Sequence, residues 1–340
     1  MTESLHYVVI GSGSAGHGAA TTIRARDPGA RITMITMSRL PFYNRYDLPK
    51  MFKGVTDWRD LLAEDPKIYD ELGITLRRNS RVVDIDGRAR TIALAHNEVI
   101  AYDKLLVCTG GGPNVPAILE DYRPLMHGFG TFEQASATVA ALPPGGQVVI
   151  LGGDMIGLDI AFNLLEAGYR VSLAVGEQTF WPHRVEPDER AVLLKSLAKT
   201  GLDLIEDRSV VAIEAADRPA RRVHFDDGSM VETDIVMPFF GILPIVDFML
   251  GAGIDMERGV LVDPALKSSN DAIWAAGDVC QIWSDVDRDY RFYHGWKNVR
   301  VMGELAARNM TGAEETFDTA DESVIEVDGN GCIRSTFWEH

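Results

Sequence analysis

An α/β fold built on two dinucleotide-binding units is predicted by three features of the sequence. A β-branched run ends in a glycine-rich turn twice, in HYVVIGSGSAGHGAA at 6–20 and in GGQVVILGGDMIGLDIA at 145–161. Each turn leads into apolar residues at helical spacing and then a second strand-like run, the βαβ pattern of a parallel sheet. The length of 340 residues is enough for about two domains with buried cores.

In chain order, Tyr7–Ile10 reads as a strand, His17–Arg26 as a helix and Arg31–Met37 as the next strand. Residues 58–72 carry Leu61, Leu62, Ile68 and Leu72 at helical spacing. Short strands follow at Ile74–Leu76, Arg81–Ile85 and Thr91–Leu94. A buried-looking strand then meets glycines and prolines at 110–116, where the chain is expected to cross between units. The second unit starts near Thr131 with a helix, a PPGG turn, strand Val148–Leu151, helix Ile156–Ala167 and strand Tyr169–Val175. Residues 221–237 read as a hairpin on an Asp-Asp-Gly turn leading to another strand. Beyond FFGILP (239–244) the chain leaves this unit, and GVLVDPALKSSNDAIWAAGDVC supplies strands and a third glycine turn. A helix follows from about Val299 to Asn309. Near the end, a DGNG turn joins Val324–Val327 to Cys332–Thr336, and Phe337 and Trp338 either anchor a partner or pack down locally.

The formal charge of −17 opposes nucleic acid and anionic membrane as partners, because the electrostatic term repels both. No stretch of about 20 apolar residues is present, which excludes a membrane span. Met1–Thr2–Glu3 lacks the basic region of a signal peptide, so the expected location is cytoplasmic. Cys108, Cys280 and Cys332 are widely spaced without a CxxC, which leaves a disulfide scaffold, a zinc site and a dithiol pair unsupported. Cys108 in an apolar strand and Cys280 in a glycine turn read as inert packing. His17, His183 and His294 show no metal-ligand spacing, and no metal is expected.

In GSGSAG, Gly11, Gly13 and Gly16 hold the glycine positions of GxGxxG. The first permits the tight turn, the second lets backbone approach a pyrophosphate, and the third allows close helix–strand packing. The phosphates then lie at a helix N-terminus, where free N–H groups favour an anion. The second turn has Gly152, Gly153 and Gly157, a spacing shifted by one residue. A tight helix–strand contact is its alternative explanation.

Over roughly residues 5 to 312, the ordered pieces GSGSAGHGAA, PFYNRYDLPK, LLVCTGGGPNVP, GGDMIGLDIA, GVLVDPALKSSNDAIWAAGDV and HGWKNVRVMGELAARNM identify a resemblance. The chain resembles the FAD-dependent pyridine nucleotide oxidoreductases, flavoproteins with two Rossmann-like domains. Within them it is similar to the ferredoxin-, rubredoxin- and nitrite-reductase-type branch. The resemblance implies an FAD-binding domain split between 1–112 and 243–315, with an NAD(P)-binding domain inserted at 113–242. It leaves 316–340 as a short tail in place of the usual interface domain. Gly11, Gly13, Ser14, Ala15 and Gly16 are implied at the FAD pyrophosphate, with Thr109 and Gly110 near the adenosine half. Gly277 and Asp278 are implied at the ribityl–phosphate stretch, and Ser38 and Val83 are further FAD-binding candidates.

Arg45 and Lys50 fall on the basic positions of the segment that passes beside the flavin ring in this family. Lys50 is implied near flavin N5, with Asp159 paired to it or orienting the nicotinamide; these two are the catalytic candidates. Asp159 stands where the family has Glu. Trp296 and Lys297 start the helix that approaches the flavin pyrimidine, where Lys297 and the helix dipole favour negative charge. Trp296 either stacks near the ring or belongs to the core. For the nicotinamide nucleotide the implied residues are Gly152, Gly153, Met155, Ile156, Gly157, Asp159 and Glu177.

Departures from the family pattern refine the expectation. Tyr46 stands where thiol relatives keep a cysteine, and no cysteine occurs between Met1 and Val107, so no thiol relay is expected. Met37–Ser38 and Val175 stand where ribose-binding acids are expected, with Glu177 two residues late. NADH is slightly preferred and NADPH is not excluded. The expected activity passes electrons from nicotinamide through FAD to a small iron–sulfur or rubredoxin-type redox protein. The alternative is a flavin-bearing electron-transfer subunit of a larger complex with a degenerate nicotinamide site.

Overall fold

The computed structural model of the chain describes residues 4–216, 220–318 and 324–338. The triplet 1–3 and the part of the C-terminal acidic stretch at 319–323 lie outside the described residues. The elements that position the site are, in chain order, β1 (His6–Ile10), α1 (Ser14–Arg26), β2 (Arg31–Ile35), β3 (Ile74–Arg77) and β4 (Lys104–Val107). They continue with α2 (Phe132–Ala141), β5 (Gln147–Gly152), α3 (Met155–Glu166), β6 (Arg170–Val175), β7 (Asp203–Ile205), β8 (Ile235–Pro238), β9 (Ile273–Ala275) and α4 (Trp296–Met310).

One sheet runs β9-β4-β1-β2-β3 and the other β7-β6-β5-β8. Every pairing within both is parallel, with Tyr7 opposite Ile32 and Lys104, and Val148 opposite Val171 and Ile235. Parallel strands lie covered on both faces, which is why all five residues of β1 are buried and why the strands read as unbroken apolar runs. The chain returns to the first sheet at β9 after building the second, so the second βαβ unit is inserted in sequence between strands of the first. Gly111–Pro113 and Ile242–Pro244, the two crossing segments, pair antiparallel with each other.

Several expectations need correction. The helical spacing over 58–72 does not give one helix: a 3-10 stretch Trp58–Leu61 and a single α-turn Ile68–Glu71 are separated by irregular chain. Pro66 sits in that gap and disfavours helical backbone at the residue before it. β2 ends at Ile35 rather than Met37. The helix whose periodic run reads from about Val299 begins at Trp296, the start the resemblance implies, with Gly295 turning the chain at φ +96° just before it. The terminal hairpin is Ile325–Val327 with Ile333–Ser335. No described helix is long and apolar enough to cross a membrane.

Candidate functional site

The first glycine turn is shaped by two contacts that admit no side chain. A Cβ at Gly11 would strike the Cys108 carbonyl, and one at Gly16 would strike the carbonyl of Gly11. Gly13 is different: nothing lies within 4 Å of where its Cβ would be. It caps α1 with extended backbone (φ −76°, ψ −170°) and provides no side-chain cap. The N-terminal N–H groups of α1, beginning at Ser14, therefore face open space that an anionic ligand can approach closely. The residues here fit the pyrophosphate of FAD.

Two more elements converge on that turn. A Cβ at Gly303 would collide with the backbone of Ala15, so α1 and α4 cross in direct contact. Gly277, with φ +84°, leaves its Cβ position 3.3 Å from Val299 Cγ1 and 3.6 Å from Ala15 Cβ, which seats the third glycine turn at the same crossing. At the end of β4, Thr109 donates its hydroxyl to the Ile245 carbonyl (3.1 Å), and Gly110 accepts from the Ile245 N–H. Ser38 is engaged locally with Leu40, accepting its N–H at 3.1 Å and donating to its carbonyl at 3.0 Å. Val83 and Arg45 are exposed.

Beyond the turn, Tyr46 is packed edge-on against Trp296 at 5.7 Å, with Phe337 at 6.4 Å. Burial raises its phenol well above the ordinary value, and the charges of Asp278 and Asp159 raise it further. Those carboxylates come from the third turn and from α3, so the two units meet at Tyr46. Asp278 Oδ1 lies 2.6 Å from His294 Nδ1, and His294 is itself buried between the rings of Trp181 (4.6 Å) and Phe292 (5.4 Å). Trp296 is half-buried and lies nearly parallel to Phe42, 6.3 Å away, while Lys297 is exposed on the first turn of α4.

Lys50 is exposed and pairs with Asp47 Oδ1 at 2.7 Å; it does not pair with Asp159. The tight 3-10 winding of Arg45–Lys53 brings residues three apart into register, which favours this local partner over the short carboxyl of Asp159. The cation that bears on Asp159 is Lys53, itself 2.6 Å from Glu166. Burial pushes the Asp159 carboxyl up to about 6, opposed by Lys53 and by the Asn163 amide. Cys108 and Cys280 are buried and their thiols are raised by that burial, while Cys332 is exposed. No cluster of metal-ligating side chains occurs among the described residues.

The second glycine turn is filled. A Cβ at Gly152 would meet the Phe239 carbonyl, one at Gly153 would lie 2.7 Å from Leu173 Cδ1, and one at Gly157 would lie 2.6 Å from Phe239 Cβ. These glycines are required by packing of the turn itself. Asp154 caps α3, and its carboxylate accepts the N–H groups of Gly157 (2.8 Å) and Gly241 (2.7 Å), with Ile156 as a further donor. Its place is obscured in the sequence when the glycines are read as 152, 153 and 157; aligning the first and last with 11 and 16 reveals it. Met155 is buried and Ile156 half-buried, whereas Glu177 is exposed beyond β6. The Trp338 indole N–H donates to the Met155 carbonyl at 2.9 Å and Phe337 is 3% exposed, so both aromatics pack down locally.

A sequence family described as Pyridine nucleotide-disulphide oxidoreductase matches residues 5–304. The chain is 28% identical over 332 residues to the ferredoxin–NAD(+) reductase component of an anthranilate 1,2-dioxygenase system from Burkholderia cepacia, covering 92% of this chain and 77% of that one. It is 27% identical over 241 residues to an assimilatory nitrate reductase electron transfer subunit of Bacillus subtilis, covering 71% of this chain and 31% of that protein. It therefore spans about a third of the nitrate reductase subunit's length. The crystal structure of a covalent putidaredoxin reductase–putidaredoxin complex superposes with a TM-score of 0.83 at 20% identity, over 95% of this chain and 78% of that one.

Proposed function

Since the chain belongs to the pyridine nucleotide-disulphide oxidoreductase family, we propose that it is an FAD-dependent oxidoreductase that takes hydride from NADH and passes electrons to a small iron–sulfur or rubredoxin-type protein. The observation that carries this reading is the first glycine turn, where backbone leaves no room for a side chain at Gly11 or Gly16 while the space at Gly13, the N-cap of α1, stays open. When bound, FAD supplies hydride acceptance and single-electron release.

The chain's own residues do the rest. Gly13 and the first N–H groups of α1 hold the pyrophosphate. Asp278, oriented by His294, accepts a ribityl hydroxyl. The start of α4 and Lys297 favour negative charge on the pyrimidine side, an effect of ~0.3–2 kcal/mol for such a terminus. Tyr46, held neutral, and Trp296 exclude water from the junction. Asp159 would orient the nicotinamide, and Lys50, paired with Asp47, would supply the nearby positive charge for the ring. With Cys108 and Cys280 in the core, electrons leave without a thiol step.

Domain limits at 112, 242 and 315 belong to the same reading, supported by the pairing of the crossing segments. So does a cytoplasmic location. NADPH is the alternative donor. A second reading, an electron-transfer subunit of a larger complex, is favoured by the filled second turn at Asp154. Rapid mixing of the reduced protein with an oxidised iron–sulfur protein and with a disulfide substrate tests the proposal. Oxidation by the first and not the second is expected, and the reverse would reject it.

A further inference from the structure

The two glycine turns can be compared position by position. Gly11, Gly13 and Gly16 recur as Gly152, Asp154 and Gly157, at the same separations of two and three residues. Asp154 thus stands at the position where glycine ordinarily lets backbone approach a pyrophosphate. The backbones agree as well: φ −76° and ψ −170° at Gly13, φ −62° and ψ 173° at Asp154, each the N-cap of a helix longer than ten residues.

What fills the space differs. In front of Gly13 there is room, and α1 has no side-chain cap. Asp154 is 1% exposed, and its two oxygens take the N–H groups of Gly157 and Gly241, with Ile156 a third donor. The rest of the turn is also satisfied internally. Asp154 N–H donates to the Phe239 carbonyl (3.1 Å), Met155 N–H to the Trp181 carbonyl (2.9 Å), and Phe180 N–H to the Gly153 carbonyl (3.0 Å). A bound pyrophosphate and this carboxylate cannot share those donors, and two anions so placed repel in a site sheltered from water.

We propose that the Asp154 carboxylate is a built-in stand-in for the nicotinamide pyrophosphate, so that the dinucleotide enters only in competition with the chain's own side chain and binds weakly. The inference rests on the proposed nicotinamide reading and specifies how that site is regulated. Displacing Asp154 also releases Gly241, whose neighbours Ile242–Pro244 pair with Gly111–Pro113, so entry of the nucleotide loosens the crossing between the units.

The test measures NAD+ binding by calorimetry to the FAD-loaded full chain, comparing wild type with Asp154→Gly and Asp154→Asn at equal FAD content. Asp154→Gly is expected to bind about tenfold tighter, and Asp154→Asn, which keeps a cap but drops the charge, to fall between. If Asp154→Gly fails to retain FAD, Asp154→Asn decides alone. No tightening in the folded variants, including no binding in any form, overturns the proposal. Tightening in the variants while NADH leaves wild-type flavin oxidised supports the proposal and rejects the NADH reading. Ready reduction of the wild type with no gain in the variants does the opposite.

Discussion

His294 Nδ1 lies 2.6 Å from Asp278 Oδ1, joining the residue that precedes Gly295 to the turn that carries Gly277. The pair fixes the carboxylate assigned to the ribityl chain. His294→Ala is expected to weaken FAD binding about tenfold, the scale of a lost hydrogen bond to a charged group. Titrating FAD into apoprotein and following flavin fluorescence checks this. An unchanged dissociation constant would remove Asp278 from the FAD site.

Gly13→Asp copies the second turn into the first. Because the Cβ position is open, the substitution is sterically mild. The new carboxylate would cap α1 and occupy the pyrophosphate donors. Loss of FAD binding by about a hundredfold is expected with little change in the melting temperature of the apoprotein. Retained FAD affinity would place the pyrophosphate elsewhere.

The cysteines offer a check on the thiol-free route. Cys108 and Cys280 are buried with raised thiols, and only Cys332 is exposed. Alkylation of the native protein is expected to modify Cys332 alone, as read by peptide mass spectrometry, and to leave electron transfer intact. Inactivation that tracks labelling of Cys108 or Cys280 would contradict the account.

Asp159 gives a pH signature with a definite sign. Burial raises its carboxyl to about 6 in the fold, above the unfolded value of about 3.9. Its contribution to stability is complete below the unfolded value and is lost as the pH rises through about 6. The melting temperature of wild type minus that of Asp159→Asn is therefore expected to fall between about pH 4 and 6 and to level off above. A flat or rising difference would mean that Asp159 is not held in a desolvated site.

The sheets are legible in the sequence because parallel strands buried on both faces leave apolar runs such as Val8–Ile10 and Val148–Leu151, and because Gly11 and Gly16 are demanded by backbone close to the turn. Features that depend on partners far along the chain are not legible in this way. Asp154 meets Gly241 and Trp338 meets Met155 only after the second unit closes. Lys50 takes Asp47, three residues away, as its ion-pair partner, which removes one of the two roles implied for Asp159, pairing with Lys50, and leaves the other. The single helix expected over 58–72 is broken at Pro66, and α4 starts at Trp296, ahead of the run that is periodic from about Val299, with Gly295 at a positive φ just before it.

In the proposed route a flavin sits between a nicotinamide site and a one-electron acceptor with no sulfur relay. Its most direct test is the visible spectrum of the FAD-reconstituted full chain under argon, recorded through additions of NADH, NADPH and then an oxidised iron–sulfur protein. FAD is expected to be retained, its absorbance to bleach with NADH at high concentration, and its colour to return with the acceptor. Protein that takes up no FAD, or bound flavin that stays oxidised with both nicotinamide nucleotides, would contradict it.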